Sequence, residues 1–253
     1  MPTLEDALHA AKAAFFDESG SACDYAALAA SPEHRRIAAC LVALAGPESF
    51  DRRRLRIPAQ TAFWLNVFNA LVLRDAAELA AAGSLREVQA FFERPRLVVG
   101  GLSDSTDDIE HGLLRGNVPK FGRLRDPMRR DDPRLAHMPL AYDERMHFAM
   151  YCAARSSPAL RVFDAGQLDR QLEEAAAEYL RRHVRVEKDG ALVVLPRQFY
   201  WYRDDFGGER RALEFALARL DEEVVEPVDR RLGRVKIRYA EFDWTLNRKG
   251  AVS

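Results

Sequence analysis

The 253-residue chain carries 38 basic and 39 acidic residues, and its formal net charge of −1 offers no global field for nucleic acid or an anionic membrane surface. At 48% apolar and 30% charged residues it has the balance of a soluble folded protein, which excludes the disordered and fibrous classes. Cys23, Cys40 and Cys152 form an odd, widely spaced set that suits neither a disulfide framework nor a Cys-rich zinc site. Free thiols in a reducing, cytoplasmic compartment are expected, with no metal and no cofactor.

The opening "MPTLEDALHAAKAAFF" has acids where a signal peptide needs basic residues. No stretch approaches the roughly 18 uninterrupted apolar residues of a membrane span. Basic runs such as "DRRRLR" at 51–56 are flanked by acids and read as solvated faces. With no repeat and no low-complexity linker, a single domain over 1–253 is expected, with 1–56 as a helical extension to a core over 57–253.

Apolar spacing predicts helices over 3–16 and 24–45, the second broken by Gly46 and Pro47. A further helix is predicted over 57–83, with Pro58 in its first turn and Gly83 as its stop. Between Phe63 and Leu73 it is apolar nearly all round, so it should be buried. "RLVVGG" reads as a strand, and "STDDIEHGLLRG" as a short helix capped by Ser105 or Thr106 and closed by Gly116. A charged loop covers 117–140.

"HFAMY" reads as a strand, although five residues do not exclude a helix. Asp164 and Gln167 form a capping-box pattern before a helix that runs to "YLRR". "HVRVEKDGALVVLP" predicts a hairpin turning at Asp189-Gly190. A helix over about 209–220 and a strand in "RVKIRYAEF" complete the chain. Helices beside a few strands without regular βαβ alternation argue α+β, with a helical N-terminal part packed on a small, mostly antiparallel sheet, in a papain- or transglutaminase-like layout.

Asp107, His111 and Arg115 fall at i, i+4 and i+8, and so share one helix face, with Glu110 as a second carboxylate. A carboxylate beside an imidazole fixes its tautomer and raises its basicity, as acid–base catalysis requires, yet the same spacing serves an ordinary charged surface helix. Asn66 and Asn69, three apart in the buried helix, need hydrogen-bond partners. Tying the helix to a loop is a simpler role for them than touching a ligand. Five residues separate His147 from Cys152, so on a strand they face opposite sides and pair only if the segment is helical. A thiol turns reactive beside a cation or an imidazole, which Arg155 or His111 could supply, although a single cysteine is more simply a small core residue.

The chain resembles the domain of unknown function 547 family through "AFWLNVFNALVL", "DDIEHGLLRG", "DERMHFAMYCAARSSPAL", "WYRDDFG" and "FDWTLN", in that order from Ala62 onward. The resemblance singles out Asn66, Asn69, Glu110, His111, Arg115, His147, Cys152, Trp201, Tyr202 and Asp205. The chain departs from the family pattern at Tyr151, where many members have asparagine, at Ser157, where many have a second cysteine, and at Glu144, where proline is frequent.

With that resemblance, the residues point to a thiol-dependent hydrolase or transferase acting on an amide, ester or thioester of a small or peptide-like molecule. Cys152 would attack, His111 would shuttle the proton and Glu110 or Asp107 would orient the ring. Asn66, Asn69, Arg115, Arg155 and Trp201 would contact substrate. The rival is a non-catalytic module that binds a small molecule or a protein in the same polar pocket. A metal on Glu110, His111 and His147 is the weaker third reading, because adjacent Glu and His on a regular helix cannot both face one ion.

Overall fold

The computed structural model describes residues 3–46, 49–79, 83–231 and 234–250. Pro47, expected to break the second helix, and residues 80–82, expected inside the third, lie outside them.

The N-terminal helix α1 (Leu4–Phe15) opens with a capping box between Thr3 and Asp6. The single helix expected over 24–45 is instead two, α2 (Tyr25–Ala30) and α3 (Pro32–Ala43). The division falls at Ser31, whose hydroxyl accepts from His34 N–H and donates to Leu28 O, while Pro32 cannot continue the α2 ladder. These helices pack on α4 (Ile57–Glu78), which is buried on nearly every side from Gln60 to Leu73. One apolar cluster runs from Leu8 through Trp64 and Phe68 to Leu246 near the C-terminal end.

Strands β1 (Leu97–Val99) and β2 (Leu102–Asp104) form an antiparallel hairpin. The predicted 105–116 helix is present but wound as a π-helix over Asp108–Leu114, and Gly116 closes it at φ +75. "HFAMY" is not a strand. Glu144–Phe148 forms a 3₁₀-helix whose start is capped by Asp143, and the local cap overrides the β-like run.

Helix α5 (Leu168–His183) lacks the expected capping box: Gln167 caps it without a side-chain bond, and Asp164 Oδ1 accepts from Gly166 N–H instead. The predicted hairpin is formed by β3 (Arg185–Glu187) and β4 (Leu192–Leu195), with Glu187 opposite Leu192. Lys188, Asp189 and Gly190 all turn at positive φ. A Cβ on Gly190 would meet Pro227 O at 2.0 Å, so this turn needs glycine for space as well as conformation.

Three helices, α6 (Gln198–Trp201), α7 (Glu209–Leu217) and α8 (Glu222–Asp229), precede β5 (Lys236–Tyr239). β5 pairs parallel to β4, so the three-stranded sheet is mixed. A second apolar cluster around Phe148, Leu180, Phe199 and Phe206 packs beneath it. The fold is α+β, and the boundary between the two clusters holds the cavity described next. Among the described residues, no helix is long and apolar enough to cross a membrane.

Candidate functional site

Cys152 sits on an irregular segment held by two polar side chains. The Asn69 carboxamide accepts from Tyr151 N–H at 2.8 Å and donates to Ala149 O at 3.1 Å, which anchors the chain just before the thiol to α4. Ser157 Oγ accepts from Cys152 N–H at 2.8 Å and donates to Pro158 O. Ala153 follows at φ +54, a left-handed conformation rare for alanine. The fold therefore fixes the backbone of Cys152 tightly, and Ser157 belongs to that support.

Cys152 lines a cavity of about 570 Å³ with Asp107, Glu110, His111, His147, Trp201 and Tyr202. A second hollow, between the start of α4 and α5, has no histidine or cysteine among its described lining residues. Glu110 and His111 come from the π-helix, the kind of local rewinding that recurs at functional sites. Gly112 is packed so closely that a Cβ there would approach Met128 Cε to 2.5 Å.

Arg115 organises the charges. It grips Asp205 with two bonds, Nε to Oδ2 at 2.6 Å and Nη2 to Oδ1 at 2.8 Å, and its Nη1 lies 2.9 Å from His111 Nδ1. A guanidinium only donates, so Nδ1 of His111 must accept and the ring proton sits on Nε2. Asp107 Oδ1 stands 4.0 Å from that Nε2. Burial, with help from Arg115 and Lys120, pushes His111 below the ordinary histidine range despite Glu110 and Asp107.

His147 is built the other way round. Its Nε2 lies 2.9 Å from Asp205 Oδ2. Burial opposes ionisation of Asp205, but the bonds from Arg115 and His147 outweigh it and hold the carboxyl far below its usual range. An ionised carboxylate only accepts, so His147 donates from Nε2, and in the neutral ring Nδ1 is the nitrogen that can accept. That Nδ1 is buried and has no hydrogen-bond partner among the described residues. The ring stacks on Tyr202 at 3.9 Å between centroids.

Tyr202 in turn donates to Glu110 Oε1. Burial raises the Glu110 carboxyl, but His111, the Tyr202 hydroxyl, His147 and Arg115 bring it below the ordinary value. Burial, together with Glu110 and Asp107, pushes the Cys152 thiol well up. The lowered thiol pKa expected of an activated cysteine is thus not met: the Glu110 and Asp107 charges add to burial, Cys152 Sγ donates to Met150 O at 3.7 Å, and Arg155 is exposed and lines no part of the cavity.

The structure brings Glu110, His111, Cys152 and Trp201 together around one cavity, and Arg115 stands behind them. Asn66 and Asn69 lie outside its lining. Asn66 exchanges both amide bonds with the Phe163 backbone, N–H to Oδ1 and Nδ2 to O, each at 2.8 Å. Sequence reasoning did not single out Lys120, which bonds Asp107 at 2.7 Å and Glu93 at 3.1 Å across the cavity rim. Nor did it find Arg86 or the Phe242 and Trp244 rings, although both aromatics stand in the "FDWTLN" motif. Among the described residues there is no group of three His, Cys, Asp or Glu side chains placed to hold a metal ion.

The family model described as "Protein of unknown function, DUF547" matches residues 53–180, just over half of the chain. No curated protein and no solved structure matches. The match takes in Glu110, His111, Arg115, His147 and Cys152 and stops before Trp201, Tyr202 and Asp205. On that match the chain belongs to the DUF547 family.

Proposed function

We propose that this cavity is the active site of a thiol-dependent hydrolase or transferase acting on an ester, thioester or amide. The observation that carries the reading is the shared cavity of Cys152 and two imidazoles, of which His147 has a buried Nδ1 with no hydrogen-bond partner among the described residues and His111 an N–H on Nε2. In this reading the Cys152 thiol gives its proton to His147 Nδ1 as the sulfur bonds to the acyl carbon. Asp205 holds the resulting imidazolium. His111 Nε2–H donates to the oxygen that gains charge, and Glu110 and Asp107 set the field around that ring. His147 then returns the proton to the leaving group as its bond to the acyl carbon breaks, and water or another nucleophile, losing its proton to His147, takes the acyl group from the sulfur, which regains the proton as the Cys152 thiol.

The proton-shuttle role expected of His111 thus moves to His147, because Arg115 occupies the His111 nitrogen that would have to accept. The raised Cys152 thiol favours a second reading, in which the same pocket binds a ligand without reacting. Incubation with activated thioesters and esters, followed by peptide mass spectrometry, separates the two. The catalytic reading expects an acyl adduct on Cys152 that is lost in Cys152→Ala and strongly slowed in His147→Gln. Turnover that survives Cys152→Ala, or no adduct with any acyl donor, overturns it.

A further inference from the structure

The outer half of the cavity has a chemistry that the proton-transfer residues do not use. Phe92, Trp201, Phe242 and Trp244 form a continuous aromatic wall, with Phe242 and Trp244 centroids 4.5 Å apart, Trp201 and Phe242 5.3 Å, and Phe92 and Trp244 5.9 Å. All four rings are only partly buried, although two of the chain's three tryptophans are among them. The third, Trp64, is fully buried and bonded to His137 O, which is how this fold treats a structural tryptophan. Large rings left half-covered inside a concave site are surface on which a flat apolar group can be stacked.

Charge at the same wall is uneven. Three cations line the cavity. Lys120 is neutralised by Asp107 and Glu93, and Arg197 stands 3.9 Å from Glu241. Arg86 makes no ion pair among the described residues, and its guanidinium lies 5.2 Å over the Trp244 ring. A guanidinium held over a ring by cation–π attraction still has N–H donors available to a carboxylate.

We infer that the Trp201–Phe242–Trp244 wall and Arg86 form a subsite for a planar aromatic ligand carrying a carboxylate. This names a substrate class for the site proposed above, and it rests on that proposal only for placing the ligand beside Cys152. Binding is measurable without turnover.

Isothermal titration of the full chain with 2-naphthoate, its neutral analogue 2-naphthalenemethanol and the non-aromatic cyclohexanecarboxylate tests it. Naphthoate should bind most tightly of the three. Arg86→Gln, an exposed substitution that leaves the fold intact, should weaken naphthoate about tenfold and leave the neutral analogue unchanged. Trp244→Leu, checked by its melting temperature, should weaken both aromatic probes. Cys152→Ser should bind naphthoate as the wild type does, so that loss of catalysis and loss of this subsite are read separately. Equal binding of the three probes, no naphthoate binding at millimolar concentration, or an unchanged affinity in Arg86→Gln would each overturn the assignment.

Discussion

Arg115 Nη1 stands 2.9 Å from Nδ1 of His111, and that one contact decides which end of the ring carries its proton. His111 should therefore be a neutral Nε2–H tautomer, with its pKa below the usual 6.5 because burial, Arg115 and Lys120 all disfavour the cation. Nitrogen chemical shifts of the labelled ring, followed from pH 8 downward, should report that tautomer at pH 7 and protonation with a midpoint below the usual one. Protonation already present at pH 7 would mean that Glu110 and Asp107 govern the ring and that Arg115 does not hold Nδ1 as an acceptor.

Asp205 is shared by Arg115 and His147, and replacing it by asparagine leaves a buried guanidinium without its counter-charge. A broken buried pair costs roughly 3–5 kcal/mol, so Asp205→Asn should lower the melting temperature by on the order of 10 °C. The sign with pH follows from the depressed folded pKa. Wild-type stability from this group is complete above the unfolded value near ~3.9 and is lost as pH falls below it, so the variant's deficit should shrink in acid. Melting curves at pH 7 and pH 3 measure both effects, and a deficit independent of pH would show that the carboxylate charge is not what is lost.

Asp104, at the end of β2, presents the opposite case. It is fully buried, neither carboxyl oxygen has a hydrogen-bond partner among the described residues, and burial lifts its pKa to about 7 against the pull of Arg134. A folded pKa above the unfolded one means that the folded state holds the proton longer, so stability declines as pH rises from ~4 towards 7. Asp104→Asn removes that titration. Between pH 4.5 and pH 8, the stability of the variant relative to wild type should improve by a few kcal/mol, measured by urea denaturation at the two pH values. A constant difference would place the carboxyl outside the titration.

The elements that were legible in the sequence are those fixed by local chemistry. The apolar girth of α4, the Asp189-Gly190 turn and the Gly116 stop all rest on neighbours in the chain, and the structure has each of them. The Glu144–Phe148 turn was misread because an apolar run of five does not distinguish strand from helix, and the deciding group, the Asp143 side chain, acts through one cap bond. The site was legible as a set of residues but not as roles. Asp205 is 58 positions from His147 and 90 from Arg115, so no spacing rule reveals that a guanidinium claims one imidazole nitrogen and a carboxylate the other. Arg86 and Lys120 carried no motif at all, and only the tertiary fold brings them to the cavity.

Asn69 links α4 to the segment that presents the thiol. Asn69→Leu keeps the volume and removes partners from Tyr151 N–H and Ala149 O inside the core, at about 1–3 kcal/mol for each group left unpaired. The melting temperature should fall by several degrees. Because the carboxamide lines no part of the cavity, naphthoate affinity in the folded variant should stay within about twofold of wild type. Unchanged melting with lost binding would transfer Asn69 from support to ligand contact.

Cys152 in the resting protein is a thiol that donates to Met150 O, and its alkylation should show it. Burial, Glu110 and Asp107 together raise its pKa far, whereas Cys40 on α3, as partly exposed as Cys152, is raised by burial without so large a shift. With iodoacetamide at pH 7.5, Cys40 should react faster than Cys152, and the Cys152 rate should keep climbing through pH 9 without a plateau near the ordinary ~8.5. Glu110→Gln removes one of the two negative charges that raise the thiol, so it should speed Cys152 severalfold at pH 7.5 and leave Cys40 unchanged. Peptide mass spectrometry resolves the two sites in one digest. If Cys152 instead reacts first and its rate levels off below pH 8.5, a thiolate already exists at rest. The His147 lone pair would then have taken the proton before any substrate arrives.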